Sequence, residues 1–557
     1  MRKILDFGII IALIAMPLAV FAENENQQSP VRIYNLEDWV SFKNCNYPTS
    51  LSVGNEYVYY GTNGGVIPFH RYGRYWQDPY TVSDYMADDY ISAVLFDPTT
   101  SYIWVANEQG ISYLTPSAEN WENVSKRRLG IPDSESIIRL GYDMSSVWLQ
   151  TSDGALKTLN KYLGFYRGSA DNQSDLIKWA PSRLDPLPSL QKYFINQPYR
   201  FEHDGLIYDD NFRSFPISII FTDTNLDLYG GVWGLGPVTG DVNVKTMTVH
   251  PMGPLQNSIS ALTLANNKIW MGSYSDQITS DFDRSGVSVM DLKTGIWEYY
   301  ETGIIPEIAT QNINDIAFGQ NTLWIGTDQG LTIFNTQKNR WKRYSMTKGL
   351  QDEIIWTIAL EDSVAWIGTP LGLNKISLPT FKIKRIYLNR DKMKLKIFKI
   401  VATQKNIWIG TDNGLYSIDK FHHNVEHYDM FGEKTDIDDP VAADFIAIAS
   451  NDSISVFSRF EGLLLYEHDT EQFKVVPQVF NMANLYIYDM ALDDDYLWVA
   501  TNDGAYLIRL ADYYTEHYTE SDGLAGNLVY KVQIAGEDVW FGTNCGLTRY
   551  KWRRYAD

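Results

Sequence analysis

The feature that most constrains this chain is a short segment that the sequence repeats. It is clearest from Leu323 to Tyr344, LWIGTDQGLTIFNTQKNRWKRY. The run Leu323–Thr327 is apolar at consecutive positions and rich in β-forming residues, as expected for a strand covered on both faces. A Gly-containing turn follows, and then two more predicted strands, Leu331–Phe334 and Trp341–Tyr344. With Asn314–Phe318 before it, the segment predicts four antiparallel strands.

Copies of this segment recur at regular intervals. Trp324, Trp366 and Trp408 are 42 residues apart, as are Trp498 and Trp540, and the 90 residues between Trp408 and Trp498 leave room for one more unit. Further copies surround Tyr59, Trp104, Trp148, Leu228–Thr239, Trp270 and Val456. A four-stranded unit that recurs every 40 to 45 or so residues is typical of a β-propeller blade, because one such sheet cannot bury both faces alone. The sequence therefore predicts an all-β fold of the β-propeller class.

The units suggest two propellers built from about twelve four-stranded repeats. Seven units from Trp270 onward predict a seven-bladed C-terminal propeller over residues 255–557. About five earlier units, with closing strands, predict an N-terminal propeller over residues 31–254. Val31–Phe42 resembles the last two strands of a blade and would complete a blade whose other strands lie elsewhere in the chain. A discontinuous arrangement, in which the first and last blades share a ring, is the alternative.

The repeated pattern also carries a family resemblance. An apolar residue, Trp-Ile-Gly-Thr, two or three turn residues and Gly-Leu resemble the two-component regulator propeller repeats of bacterial extracytoplasmic sensor regions. The tails Lys348–Leu350 and Asp522–Asn527 are similar to that family's link between blades. The resemblance covers most of Val31–Asp557. It implies a β-propeller that recognises a carbohydrate or a peptide in the cell envelope.

The first residues predict export. Met1–Lys3 are followed by the apolar run Ile9–Ala22, which ends in Val-Phe-Ala. This is the pattern of a secretory signal peptide over residues 1–22, and its apolar core is too short for a membrane span. Residues 23–30 are expected to form a flexible leader. We therefore expect a periplasmic or secreted protein that is not integral to the membrane after signal cleavage.

Composition narrows the class of partner. The chain has 47 basic and 68 acidic residues and a net charge of −21. This balance argues against nucleic acid as a partner, because affinity for phosphates comes largely from Lys and Arg. An acidic surface also permits cation binding. The motifs of serine hydrolases, zinc proteases, P-loops and dinucleotide sites are absent from the sequence.

One enlarged turn suggests a site. Asp281, Asp283 and Ser285 have the alternate-oxygen spacing of a calcium loop, although Leu292 stands where the usual bidentate Glu would be. Calcium is therefore one hypothesis and a solvated acidic loop is the other. Two enlarged turns on adjacent blades further predict a ligand-binding rim with the stacking residues Trp233, Tyr274 and Phe282.

The two cysteines lie near opposite ends of the mature chain. Cys45 and Cys545 fall in two kinds of loop that share one face of a propeller. A disulfide between them is conceivable in the exported compartment. Two free thiols are the alternative.

These observations favour an exported, non-enzymatic binding module that recognises a glycan, a peptide or an envelope protein. Fold class alone does not decide function, and two alternatives stay open. One is an envelope assembly or secretion scaffold that works through a broad protein interface. The other is a polysaccharide lyase or glycosidase, whose carboxylates would converge from different blades.

Overall fold

The computed structural model describes residues 34, 37–118, 120–164, 166–170, 176–190, 192–202, 206–274, 284–378, 380–441, 443–459, 462–477 and 485–555. In these residues, fifty strands form twelve sheets whose pairings are antiparallel except for one. The predicted all-β, multi-blade propeller-type fold is confirmed. In the described residues, no helix is long and apolar enough to cross a membrane.

Four larger sheets and one small sheet precede residue 250. The first three are β2 (Pro48–Val53), β3 (Tyr57–Thr62), β4 (Gly65–His70) and β5 (Tyr75–Trp76); β6 (Ile91–Asp97), β7 (Tyr102–Asn107), β8 (Gly110–Leu114) and β9 (Glu122–Ser125); and β10 (Ile137–Tyr142), β11 (Ser146–Thr151), β12 (Leu156–Asn160), β13 (Tyr166–Ala170) and β14 (Lys178–Trp179). The fourth contains β15 (Phe194–Ile195), β19 (Ile217–Thr222), β20 (Asp227–Val232), β21 (Gly236–Asp241) and β22 (Thr246–Val249). The small sheet contains β16 (Arg200–Phe201), β17 (Ile207–Tyr208) and β18 (Ser214–Phe215).

Seven sheets follow, and we call them the ring. The first four are β23 (Ile259–Ala265), β24 (Lys268–Ser273), β25 (Gly286–Asp291) and β26 (Trp297–Glu301); β27 (Ile313–Gly319), β28 (Thr322–Thr327), β29 (Gly330–Asn335) and β30 (Arg340–Tyr344); β31 (Thr357–Leu360), β32 (Val364–Thr369), β33 (Gly372–Ser377) and β34 (Lys382–Ile386); and β35 (Ile397–Ala402), β36 (Asn406–Thr411), β37 (Gly414–Asp419), β38 (Val425–Tyr428) and β39 (Lys434–Thr435). The last three are β40 (Ile448–Ser450), β41 (Ile454–Arg459), β42 (Gly462–Glu467) and β43 (Gln472–Val475); β44 (Ile487–Asp493), β45 (Tyr496–Thr501), β46 (Ala505–Arg509) and β47 (Tyr514–Tyr518); and β48 (Val529–Ala535), β49 (Asp538–Thr543) and β50 (Leu547–Tyr550) with β1 (Trp39–Phe42). Short 3₁₀ helices occupy Val82–Asp84, Met346–Lys348 and Trp552–Arg554.

The first strands of the seven sheets contact one another in a closed cycle. The contacts run from β23 through β27, β31, β35, β40 and β44 to β48, and β48 contacts β23 again. First strands therefore surround the axis, and each sheet extends outward from them. The seventh sheet is completed by β1, which pairs antiparallel with β50 from Trp39↔Tyr550 to Phe42↔Leu547. The start of the described chain thus closes the ring.

The repeated Trp and Gly fill the space between neighbouring sheets. Trp324 is 1% exposed and packs in a cluster with Ile355 and Ile367 of the third ring sheet. A side chain at Gly326 would place its Cβ 2.8 Å from Ile355 Cγ2. Trp324 and Gly326 therefore face the same neighbour, and the small residue makes room for it.

In five of the seven ring sheets, the turn that ends the second strand explains the Thr-x-x-Gly pattern. Thr327 Oγ1 donates a hydrogen bond of 2.8 Å to Gly330 O and accepts one from Gln329 N. Thr369, Thr411, Thr501 and Thr543 donate in the same way to the glycine three positions later. Gly330 has φ +115°, and a Cβ there would collide with Tyr344 O. Glycine is required at this position for both reasons.

The segment between β22 and β23 contains the predicted boundary at residues 254 and 255. It packs against the segment after β1, since Cys45 N donates to Met252 O at 3.0 Å and Asn44 Nδ2 donates to Leu255 O at 2.7 Å. Contacts group Leu36–Asp557 as one compact unit. The closing strand β1, predicted as part of the N-terminal propeller, pairs with β50. The division into two propellers stays a prediction, and the predicted signal peptide and leader lie outside the described residues.

Candidate functional site

The first strands of the ring begin in a common way. In five of them the register with the second strand shifts at one residue, which forms a β-bulge. The bulged residues are Ser260, Asn314, Phe398, Tyr488 and Tyr530. Trp356, just before Thr357, has the equivalent place in the third sheet. Bulges redirect side chains and are frequent beside functional sites.

Two groups of aromatic side chains lie at this end of the axis. The rings of Trp356 and Phe398 stack with centroids 5.6 Å apart and an interplanar angle of 11°. Tyr488 contacts Tyr530 edge-on at 5.5 Å and Tyr486 at 4.7 Å. Tyr486 is 47% exposed, and the other four are half-buried. We call Trp356, Phe398, Tyr486, Tyr488 and Tyr530 the axial mouth.

The axial mouth lies on the face that carries the Thr-x-x-Gly turns. The start of each first strand pairs with the end of the second strand, as Ile313 does with Thr327. The enlarged turn between β24 and β25, part of the predicted ligand-binding rim, joins a second and a third strand and is on this same face. Polar bulge residues hold adjacent sheets together here: Asn314 Nδ2 donates to Ile355 O at 3.0 Å, and Ser260 Oγ donates to Ile313 O at 2.6 Å.

One residue further along the first strands, four charged side chains form what we call the axial charge network. Lys399 Nζ lies 2.7 Å from Asp489 Oδ1, and Lys531 Nζ lies 3.2 Å from Asp315 Oδ1. Each pair connects two sheets that are not neighbours. The sheets between them have the small residues Ala447 and Ala261 at the equivalent positions, both fully buried, so the long side chains can pass.

The axial charge network is neutral overall. Burial would raise the pKa of Asp489, but the ammonium groups of Lys399 and Lys531 outweigh it and lower the pKa below its usual value. Burial would lower the pKa of Lys531, but Asp315 and Asp489 raise it instead. Asp489 and Lys531 therefore stay ionised at neutral pH. Asp315 Oδ2 also accepts a hydrogen bond of 2.8 Å from Ile358 N.

Two tyrosines of the mouth, Tyr486 and Tyr488, keep their protons. Burial raises the pKa of Tyr488, with a smaller contribution from Tyr530, and burial also raises the pKa of Tyr486. Their hydroxyls are neutral hydrogen-bonding groups at neutral pH. The mouth thus offers half-exposed aromatic faces and uncharged polar groups, arranged beside a network without net charge.

The predicted rim residues Trp233, Tyr274 and Phe282 are not among the residues of the axial mouth. Trp233 has the Arg183 guanidinium 4.1 Å from its ring centroid and Tyr47 edge-on at 5.1 Å. Tyr274 is 41% exposed. Phe282 lies outside the described residues. Arg284 Nη1 donates to Gly234 O at 3.3 Å, so the two enlarged turns do meet, while a role for their aromatic residues stays a prediction.

The calcium hypothesis falls mostly on undescribed residues. Asp281 and Asp283 lie outside them. Ser285 Oγ shares a 2.6 Å hydrogen bond with Thr302 Oγ1. Among the described residues no group of three or more His, Cys, Asp or Glu side chains is arranged to hold a metal ion. Calcium binding by this loop therefore stays a prediction.

Beside this loop, one carboxylate joins two arginines. Glu301 is buried and pairs with Arg284 and with Arg213, the latter at 2.7 Å. Burial would raise the pKa of Glu301, but Arg284 and Arg213 lower it to about 2. Glu301 therefore links β26 to the residues before β25 through Arg284, and to the small sheet of β16, β17 and β18 through Arg213.

Glu301→Gln should lower the free energy of unfolding by about 2 kcal/mol at pH 7, because charge-assisted bonds to two arginines are lost. The folded pKa is depressed, so this contribution is complete above the ordinary Glu pKa and is lost as the pH falls towards 2. Urea denaturation at several pH values should show the difference between the two proteins shrinking below about pH 4. A constant difference across that range would contradict the assignment.

Both cysteines are free in the structure. Cys45 is buried and Cys545 is half-buried. Burial raises the pKa of the Cys45 thiol to about 12. The predicted disulfide is therefore not formed here, and its formation in the exported protein stays a prediction.

The axial mouth was not predicted from the sequence, because the residues that form it come from different repeat units. The pattern of the mouth residues appears only when the first strands are aligned on the buried residue that begins each strand. Two examples are Ile397-Phe398-Lys399 and Ile487-Tyr488-Asp489. The next two columns of that alignment contain the aromatic and charged residues. The fold is needed to show that these columns surround one axis.

Comparison with known proteins supports the fold. No family model and no curated protein matches the sequence. A solved structure of PorZ, a surface component of the type-IX secretion system of Porphyromonas gingivalis, aligns with 92% of this chain and 87% of its own, at 12% identity and a TM-score of 0.52. The extracellular domains of two putative hybrid two-component systems of B. thetaiotaomicron, BT4673 and BT3049, align at 13% and 15% identity with TM-scores of 0.43 and 0.31, over 90% and 94% of this chain and 70% and 76% of theirs. At this low identity, the likeness to PorZ shows the fold alone.

Proposed function

We propose that this protein is an exported, non-enzymatic binding module that recognises an oligosaccharide at the axial mouth. The observation that carries the proposal is the grouping of five aromatic residues from four ring sheets at one end of the axis. Binding sites typically combine apolar and aromatic surfaces with a few placed polar groups. The apolar faces of a sugar ring would stack on Phe398 and Tyr488, and its hydroxyls would hydrogen-bond to the tyrosine hydroxyls.

The charges near the mouth favour binding over cleavage. A glycosidase needs two carboxyl groups beside the scissile bond, one of which must be protonated. Asp315 and Asp489, the carboxylates of the axial charge network, are each paired with a lysine, and the lysines lower the pKa of Asp489. Neither is free to act as a general acid. These pairs support a non-enzymatic function for the axial site.

The test is thermal unfolding of residues 23–557 with neutral oligosaccharides, acidic polysaccharides and peptides. A ligand at a hundred times its dissociation constant stabilises the protein by about 2.7 kcal/mol, which shifts the melting temperature measurably. We expect a shift with at least one oligosaccharide. A shift in melting temperature with peptides alone would indicate that the ligand is a peptide and not a sugar. No shift with any of these compounds would favour the scaffold alternative.

Variants then locate the site. The double substitution Phe398→Ala/Tyr488→Ala should lower the affinity for the ligand found by thermal unfolding tenfold or more, equivalent to about 1.4 kcal/mol. Tyr486→Ala, which alters a 47% exposed residue and removes its contact with Tyr488, should also weaken binding. The matched control is Phe421→Ala/Tyr514→Ala, which removes exposed aromatic residues from outside the mouth. Equal losses in the mouth and control variants, measured by calorimetric titration, would contradict the axial assignment.

A further inference from the structure

A strongly basic strip crosses the ring of this acidic protein. Between Lys382 and Lys396, seven of fifteen residues are basic and only Asp391 is acidic. All seven basic side chains are exposed: Lys382, Lys384, Arg385, Arg390, Lys392, Lys394 and Lys396. We call these residues the basic strip. It is unexpected in a chain of net charge −21.

The fold gives the basic strip an extended shape. Lys382, Lys384 and Arg385 lie on β34, the outermost strand of the third ring sheet. The other four lie on the connection that leads to β35, the first strand of the next sheet. Five strand residues at about 3.3 Å each give the first part alone a length of about 16 Å. The strip therefore runs from the outer edge of one sheet towards the axis.

Most of the charge of the strip is not neutralised within the protein. Arg390 lies near Asp436 and Asp438, and Lys396 lies 3.7 Å from Asp412. Lys382, Lys384, Lys392 and Lys394 have no carboxylate within 4 Å in the part of the chain that the structure describes. Clustered exposed cations raise the local concentration of anions and speed their association.

We propose that the basic strip binds an anionic polysaccharide. A linear polyanion gains affinity by contacting several cations in a row and releasing its counterions, as nucleic acids do. Tyr387, 45% exposed, lies within the strip with Lys392 Nζ 5.7 Å from its ring centroid, and its ring provides a surface for a sugar. This site is separate from the axial mouth and does not depend on it.

The surroundings favour a chain over an anionic membrane. Asp412, Asp436 and Asp438 border the basic strip. A flat anionic surface would bring these carboxylates into repulsive contact as well, whereas a single polymer chain can follow the lysines and avoid them. Potentials decay over about 8 Å at physiological ionic strength, so neighbours at this distance matter.

The test compares two quadruple variants of the mature chain with equal net charge. Lys382→Gln/Lys384→Gln/Lys392→Gln/Lys394→Gln removes four of the seven positive charges of the basic strip. Lys192→Gln/Lys245→Gln/Lys293→Gln/Lys338→Gln removes four exposed lysines elsewhere. The probes are polygalacturonate, dextran sulfate, neutral dextran and phosphatidylglycerol vesicles, with affinities measured at 50 and 200 mM salt.

We expect the wild type to bind at least one of the two polyanions and not neutral dextran. The strip variant should bind at least tenfold more weakly and with a smaller salt dependence, while the control variant stays within twofold of the wild type. Equal losses in the two variants would show an effect of net charge only and would overturn the proposal. Binding to vesicles without binding to either polyanion, or no binding to any probe, would overturn it as well.

Discussion

Replacing Trp39 by alanine should lower the free energy of unfolding of the ring by about 3–5 kcal/mol, the range for truncating a large buried aromatic residue. Trp39 is 2% exposed, and its ring stacks on Tyr550 with centroids 3.9 Å apart and an interplanar angle of 6°. It also contacts Tyr518 of the sixth sheet at 5.8 Å. The substitution therefore weakens both the closing strand and its contact with the neighbouring sheet.

Urea denaturation and amide hydrogen exchange would check this prediction together. Because a chain of this size need not unfold in one step, exchange at Leu547–Tyr550 reports the closure directly: these residues should lose protection when β1 detaches. Trp341→Ala is a matched control, since Trp341 stacks on Phe334 at 4.0 Å but lies on an outer strand and closes nothing. If both variants lost the same stability, β1 would not have the closing role described above.

Removing one carboxylate from the axial charge network should lower the free energy of unfolding by about as much as Trp39→Ala. Asp489→Ala leaves the mostly buried Lys399 without its partner, and breaking a buried pair in this way typically costs about 3–5 kcal/mol. Replacing both partners, Lys399→Met/Asp489→Leu, should recover most of the loss, because no unpaired charge remains. The pattern expected is a damaging single substitution and a much milder double substitution.

The pH dependence of this network follows from the direction of the Asp489 pKa. Because the folded pKa is depressed, the stabilising contribution is present above the ordinary Asp pKa of about 3.9 and is lost as the pH falls below it. Denaturant midpoints of the wild type and Asp489→Ala should therefore converge in acid. Lys474→Met, at an exposed pair with Glu467, is the control and should cost at most about 1 kcal/mol. A double substitution as damaging as Asp489→Ala would contradict the network.

The strands were predictable from the sequence because each unit is locally consistent. The Trp-Ile-Gly-Thr pattern predicted the second and third strands near Trp324, and β28 and β29 lie there. The Gly of the turn and the Gly after the tryptophan have separate physical causes, a positive φ at Gly330 and close approach of Ile355 at Gly326. Both causes act within one unit and its neighbour, so the local sequence contains them.

The closure and the site depend on residues far apart in the chain. The pairing of β1 with β50 joins residues about 500 positions apart, and no local pattern determines which sheet β1 completes. Lys399 and Asp489 are 90 residues apart, and their contact requires a small residue, Ala447, on the sheet between them. Such contacts follow from the number of sheets and the closure, which the repeat pattern alone does not determine.

The most direct test of the central proposal uses Trp356, which stacks on Phe398 in the axial mouth. The ligand found by thermal unfolding would be titrated into the wild type and into Trp356→Phe while tryptophan fluorescence is recorded. We expect a saturable change in fluorescence in the wild type that is largely absent from Trp356→Phe. Calorimetry should show that this variant still binds the ligand. An undiminished change in Trp356→Phe would place the ligand elsewhere and contradict the axial site.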